Sequence, residues 1–283
     1  MDCSKNDDSG TPVIVSDQKA WDMPLCKLRF NLLLEQMETD KDKARLLACS
    51  SKDSSGWLNA LPIPALGLKL DDTQLRISCA VRLGSPMCHP HTCICGSEVD
   101  QSGTHGLSCK KSGGRFSRHT QVNDLVRRGL SSANFPAVLE PTGVSRTDGK
   151  RPDGMTIFPW KNGKCLVWDF TCSDTLAPSH ISTSSNQAAK VGENAENLKL
   201  TKYAQLEDAY IVVPICVETL GSWGPNGIKF ITELGNKIKA ETKEPKSTYY
   251  LIQAISVAIQ RGNAASVLGT VLPSKSLEEV YYL

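Results

Sequence analysis

The sequence predicts an α/β fold, a mixed sheet flanked by helices, over roughly residues 113–283. Three observations carry that expectation. First, two apolar runs, Ile157-Phe158-Pro159-Trp160 and Cys165-Leu166-Val167-Trp168, flank Lys161-Asn162-Gly163-Lys164. Asn-Gly between apolar runs is the strongest short signal for a β-hairpin. Second, Tyr210 to Glu218 is one continuous apolar run, which predicts a central strand covered on both faces. Third, residues 188–206, 228–238 and 249–261 carry apolar positions at helical spacing, the last through Ile252, Ile255, Ala258 and Ile259. Strands alternating with helices specify a layered α/β domain.

The remaining elements follow in chain order. Residues 1–18 are polar and read as disordered. Between Pro24 and Leu47, Leu25, Leu28, Phe30, Leu32, Leu33, Met37, Ala44, Leu46 and Leu47 predict one or two helices, broken near Thr39-Asp40-Lys41. Trp57 to Pro64 is extended and turn-rich, because each proline disfavours helix at the residue before it. Asp71 to Arg82 predicts a further helix with Leu75, Ile77, Ala80 and Val81 inward. Residues 19–85 thus form a small helical region. A helix is expected from Ser117, with Val122, Leu125, Val126 and Leu130 as its apolar side. Val138-Leu139-Glu140-Pro141 reads as a short strand, and Asp174 to Ser185 as a polar loop.

Composition narrows the classes. A net charge of +2 names no partner by itself, and 40% apolar residues support a real core. The polar start, Met1 to Asp8, does not read as a secretory signal, and no apolar run is long enough for a membrane span. Eleven cysteines in such a chain are expected to be reduced, intracellular and available for metal.

Four of the five histidines fall between His89 and His119, interleaved with Cys88, Cys93, Cys95 and Cys109. Alternating thiols and imidazoles in a glycine-rich stretch, residues 86–112, suit a closed tetrahedral Zn²⁺ site. Cys93, Cys95, His105 and Cys109 are the candidate ligands. The first pair is separated by one residue, where two to four is usual. Either the loop is tight, or Cys88 or His91 replaces one of the pair. The segment Lys110 to Arg128 then carries six Lys/Arg and one acid, Asp124. A basic helix beside a metal knuckle suits phosphate contact.

Asp153 and Asp169 lie in or beside the two hairpin strands. A two-residue loop at Asn162-Gly163 would set Asp169 opposite Thr156, and Asp153 would then face the other side. A three-residue loop, or a bulge of the same effect, would set Asp169 opposite Met155, with Asp153 its diagonal neighbour. That diagonal of roughly 7–8 Å lets two carboxylates share a cation, and hard oxygen ligands suit Mg²⁺. The three-residue loop is the expected one. Glu140 is a possible third carboxylate.

The ordered set resembles a known family. A Cys/His knuckle is followed by Gly114-Arg115-Phe116-Ser117-Arg118-His119, Glu140-Pro141, Lys150-Arg151-Pro152-Asp153, Val167-Trp168-Asp169 and Lys199-x-x-Lys202-Tyr203. This is similar to the C-terminal end of non-LTR retrotransposon polyproteins of the early-branching, site-specific kind. Those carry a restriction-enzyme-like endonuclease of the PD-(D/E)xK superfamily behind a zinc knuckle. The resemblance spans about residues 20–270. It implies a restriction-endonuclease-like domain over 113–283 with Asp153 and Asp169 as Mg²⁺-binding catalytic carboxylates. It further implies Cys93, Cys95, His105 and Cys109 as Zn²⁺ ligands, with Arg118 and His119 at the DNA-facing start of the nuclease domain. The superfamily lysine two residues after the second acid is here Thr171. In the retroelement branch a lysine of the following helix stands in, which would be Lys202 or Lys199.

The function so implied is a metal-dependent endonuclease that nicks double-stranded DNA in the nucleus so that the freed end primes reverse transcription. Arg115, Arg118, His119, Lys150 and Arg151 are the expected nucleic-acid contacts. Retroelement RNA and a reverse transcriptase supplied elsewhere are the expected partners, since this chain has no polymerase portion. The alternative is a non-catalytic, zinc-dependent nucleic-acid-binding remnant.

Overall fold

The computed structural model describes residues 5–6, 12–13, 18–144 and 149–282. The stretch expected to be disordered, residues 1–18, lies mostly outside these. Within it only β1 (Lys5–Asn6) and β2 (Pro12–Val13) are described, as an antiparallel pair, before Gln18 opens the first helix.

The helical region is α1 (Gln18–Gln36), α2 (Asp40–Ser50) and α3 (Asp72–Leu83). The expected break at Thr39 is a helix cap: the Thr39 hydroxyl accepts the Asp42 amide at 3.1 Å, satisfying a donor that has no partner within the helix. Asp71 and Gln74 cap α3 reciprocally. The proline-rich stretch between α2 and α3 makes two short 3₁₀ turns, Gly56–Asn59 and Pro64–Leu66.

The knuckle contributes β3 (His91–Thr92) and β4 (Glu98–Val99), an antiparallel pair. The α/β region then runs α4 (Gly114–Ser132), β5 (Ala137–Leu139), β6 (Gly154–Thr156), β7 (Cys165–Ser173), α5 (Ile181–Ser184), α6 (Lys190–Tyr203), β8 (Tyr210–Glu218), α7 (Pro225–Thr242), α8 (Ser247–Leu268) and α9 (Leu277–Val280). Strands β5-β6-β7-β8 form one mixed sheet, antiparallel up to β7 and parallel between β7 and β8. Helices α4, α7 and α8 pack together against it, while α6 lies along β7 and β8. The mixed, helix-flanked sheet matches expectation.

Two strand expectations need correction. The apolar run at Tyr210–Glu218 is β8, yet β8 stands at the end of the sheet order and β7 is the inner strand. Pro214, in the middle of β8, has no amide to give a second neighbour, which confines such a strand to an edge. The run is apolar because α6 and α7 cover it. The second correction concerns the hairpin. The turn at Asn162-Gly163 is the two-residue kind, with both residues left-handed (φ 52° and 74°) and Lys161 bridged to Lys164. The three-residue loop is therefore absent. Ile157 to Trp160 is no strand; β6 stops at Thr156 and the run bulges out around Pro159.

That bulge resets the register. Met155 faces Val167, not Asp169, and Gly154 faces Trp168. One step further, Asp153, just before β6, comes abreast of Asp169 inside β7. Gly154 cannot be replaced here, because a Cβ at that position would collide with the Trp168 indole.

Two apolar cores result. The first is built from the inward side chains of β7 (Leu166, Trp168, Phe170) with α4, α7 and α8. The second joins α2 and α3, the knuckle, the last turns of α8 and the C-terminal Val280 and Tyr281. The knuckle is thus seated at the end of α8, its Ile94 amide donating to Thr270 O, just past the helix, at 3.1 Å. No helix among the described residues is long and apolar enough to cross a membrane.

Candidate active site and metal centre

The expected site residues fall into three places. The four knuckle ligands form one cluster. Asp153, Asp169, Glu140, His119, Lys150, Arg151, Lys199 and Lys202 all line a single cleft of about 460 Å³. Arg115 and Arg118 border the cleft beside it.

In the knuckle, one ligand atom from each of Cys93, Cys95, His105 and Cys109 lies within 4.8 Å of all the others. Cys93 Sγ is 3.7 Å from Cys109 Sγ, and Cys95 Sγ is 3.3 Å from His105 Nε2. The short Cys-x-Cys spacing works because the loop is tight. Gly96 N–H donates back to Cys93 O at 2.7 Å, with Gly96 left-handed at φ 91°. The residues held in reserve stand elsewhere. Cys88 Sγ donates to Asp100 O at 3.4 Å, while His91 is fixed by Thr270 Oγ1 and His89 O, both at 2.9 Å. The Ser97 hydroxyl, hydrogen-bonded to Cys95, draws its thiol down to about 6, while burial pushes Cys93 up to about 12. A Cys₃His set at these separations can hold a metal such as zinc.

The cleft is built at the end of β6, where its pairing with β7 stops. There the Phe170 amide of β7 has no strand partner, and Asp153 Oδ2 accepts it at 2.6 Å. A strand amide points along the ladder, so this carboxylate lies in line with β6 rather than on a sheet face. The expected same-face diagonal is replaced by this arrangement. Asp169, only 7% exposed, points toward α6. Its Oδ1 accepts Lys199 Nζ and its Oδ2 accepts the Tyr203 hydroxyl, both at 2.5 Å. Lys199 and Tyr203 are four apart and so share a helix face. Lys202 is exposed in the same cleft. The lysine that meets the second acid is therefore Lys199, where Lys202 was the first expectation.

No protein-family model and no curated protein matches this chain.

Glu140 is exposed at the rim, just past β5, with a left-handed backbone at φ 48°. His119 reaches Asp153 from α4, Nε2 to Oδ2 at 3.0 Å. Its tautomer follows from a chain of bonds. Trp168 Nε1 can only donate, and it donates to Asn123 Oδ1 at 2.9 Å. The Asn123 amide nitrogen then donates to His119 Nδ1 at 3.2 Å, leaving the proton on Nε2, toward Asp153. The hydrogen bond that His119 donates to Asp153 raises the His119 pKa above 6.5, against burial, which lowers it. In metal-free protein, NMR titration of His119 should give a value above 6.5, and Asp153→Asn should bring it down. Because the folded value is raised, the pair's contribution to stability is present below the ordinary histidine range and is lost as pH rises through the folded value.

Arg118 is a correction. It is 2% exposed, packed on α8, and its Nη1 donates to Asn263 Oδ1 at 2.5 Å. It cannot be a free surface contact to duplex phosphates. It stands four residues before Val122, on the buried stripe of α4. Arg115 is exposed at the start of the same helix, as expected.

Three residues outside the expected site set complete the arrangement. Tyr203 and Asn123 are each four residues beyond a candidate, Lys199 and His119, a spacing that marks them on the helix face. Glu196 is 1% exposed, and its carboxylate accepts the Cys216, Asn226 and Gly227 amides at 3.1, 2.8 and 2.9 Å. It ties α6 to the start of α7 and so holds the helix that carries Lys199.

Proposed function

We propose that this chain is a metal-dependent DNA endonuclease of the restriction-enzyme-like kind, acting in the nucleus as part of a retroelement's integration machinery. The observation that carries the reading is the convergence of Asp153, Asp169 and Lys199, with His119 and three further cations, on one cleft. That convergence draws on four separate elements and is not a consequence of local sequence.

The donor set fits a divalent cation. Two carboxylates abreast present hard oxygen ligands. Each carboxylate oxygen accepts more than one bond. When bound, Mg²⁺ would supply Lewis acidity toward an attacking water and the scissile phosphate. Tyr203 holds Asp169 in place by its hydroxyl. Lys199, now paired to Asp169, is placed to turn to a phosphate oxygen or the attacking water. His119 orients Asp153, and Lys150, Arg151 and Lys202 offer positive charge to the backbone on either side. The Cys₃His cluster is read as structural Zn²⁺, since its four ligands leave no open position.

A purified sample given supercoiled plasmid should produce nicked circles in Mg²⁺ and none in EDTA. A sample that binds plasmid but never nicks it would support the binding-module reading. One observation favours that second reading: both Asp169 oxygens already have partners.

Lysine substitutions test the catalytic step. Lys199→Ala should slow nicking by about 10²-fold, the scale of a positioned proton-transfer or charge-stabilising group. Lys202→Ala should weaken DNA binding slightly and leave the nicking step intact. The opposite pattern in single-turnover rates would return the role to Lys202.

A further inference from the structure

The cleft beside the acids is not used by the reading above. It has a volume of about 390 Å³, inside the range of roughly 300–1,000 Å³ typical of small-ligand pockets. It shares His119, Phe170 and Lys199 with the acidic cleft, so whatever fills it lies next to the cutting position. Its outer wall is Arg115 and Phe116, from the first turn of α4. Phe116 is 74% exposed, an open aromatic face at the mouth of a cationic cleft. Its inner wall includes Arg118.

We propose that this cleft takes one unpaired nucleotide of the DNA strand adjoining the scissile phosphate, its base stacked on Phe116 and its phosphate or base oxygens facing Arg115. Stacking on an open aromatic ring needs a free base face, which a paired base inside a duplex does not offer. A basic surface for intact duplex would need only cations, whereas here an exposed aromatic ring stands beside Arg115 at a pocket of nucleotide size. The inference rests on the nuclease reading and narrows its substrate to DNA that is unpaired, or opened, beside the cut.

The test compares two labelled probes bound by the full-length protein in EDTA, by fluorescence anisotropy. One is a short, fully paired duplex; the other is the same duplex with a few unpaired nucleotides at its centre. Wild type should prefer the second by about tenfold, the scale of one base stacked on an aromatic side chain. Phe116→Ala should erase that preference with the affinity for paired duplex unchanged, and Phe116→Trp should retain it. Because Phe116 is exposed, the alanine variant is expected to melt as wild type does. Equal affinity of wild type for both probes would overturn the inference, as would Phe116→Ala weakening both probes alike. Plasmid nicking that persists in those cases would leave the nuclease reading standing. A preference for unpaired DNA without any metal-dependent nicking would instead sink the nuclease reading.

Discussion

Asp153→Asn and Asp169→Asn are each expected to abolish nicking, by about 10³-fold or more, while DNA binding holds or tightens. A Lewis-acid cation lowers the barrier by several kcal/mol, and each 1.36 kcal/mol is tenfold in rate. An amide oxygen keeps the shape of the carboxylate and loses the charge that holds the cation. In Asp153→Asn the amide oxygen can still accept the Phe170 amide, so the end of β6 stays anchored. In Asp169→Asn the oxygen can still accept the Tyr203 hydroxyl, while Lys199 loses its counter-ion and is free to swing into the cleft. Each change also removes a negative charge that faces the DNA backbone, which is why binding should not weaken. Single-turnover nicking and anisotropy on the same preparations check both halves. A variant that nicks at the wild-type rate would remove that acid from the mechanism.

Loss of the knuckle metal is the second large effect. One Zn²⁺ per chain is expected by elemental analysis, and Cys109→Ser should no longer hold it stoichiometrically. In isolated zinc fingers the metal contributes about 10–16 kcal/mol of apparent binding energy, which is folding energy there. The effect should be smaller here, because Cys93 and Cys109 also belong to an apolar core that includes Val99, Leu107, Val267 and Tyr281. Even about 4 kcal/mol would lower Tm by roughly 8–16 °C for a chain of this size. The loss should be global rather than local, since that core holds α2, α3 and the end of α8 together, and α8 also packs on α4, which carries His119. Thermal melting with and without a chelator would show it. An unchanged melting curve with no zinc in the sample would end the metal-centre reading.

Much of the arrangement was legible before any coordinates. Helical periodicity located α2, α3, α7 and α8 to within a few residues, except that α8 runs on to Leu268. Its last turns read poorly because Gly262, Asn263 and Ser266 are polar or small, yet they are buried against α4 and the knuckle. The Cys-x-Cys, His and Cys ligands were legible because metal coordination needs particular atoms at short loop spacings. The pairing of acids with a helix lysine was legible only as an ordered motif.

Residue chemistry and local periodicity by themselves located α2, α3, α7, α8 and β8 and marked the Cys₃His set and the acids that share a cleft. Tertiary structure decided the rest, wherever two distant segments compete for one place. It placed β8 at the end of the sheet with α6 and α7 packed against it, and that helix cover is why a strand with a single strand neighbour is apolar throughout. It turned Arg118 inward, because the stripe of α4 that faces α8 includes that position. It chose Lys199 over Lys202, because only the angle at which α6 crosses β7 sets which of two lysines, three residues apart, reaches Asp169. And it set the acids abreast, because a bulge at Pro159 shifts register by a count that no turn signal at Asn162-Gly163 contains.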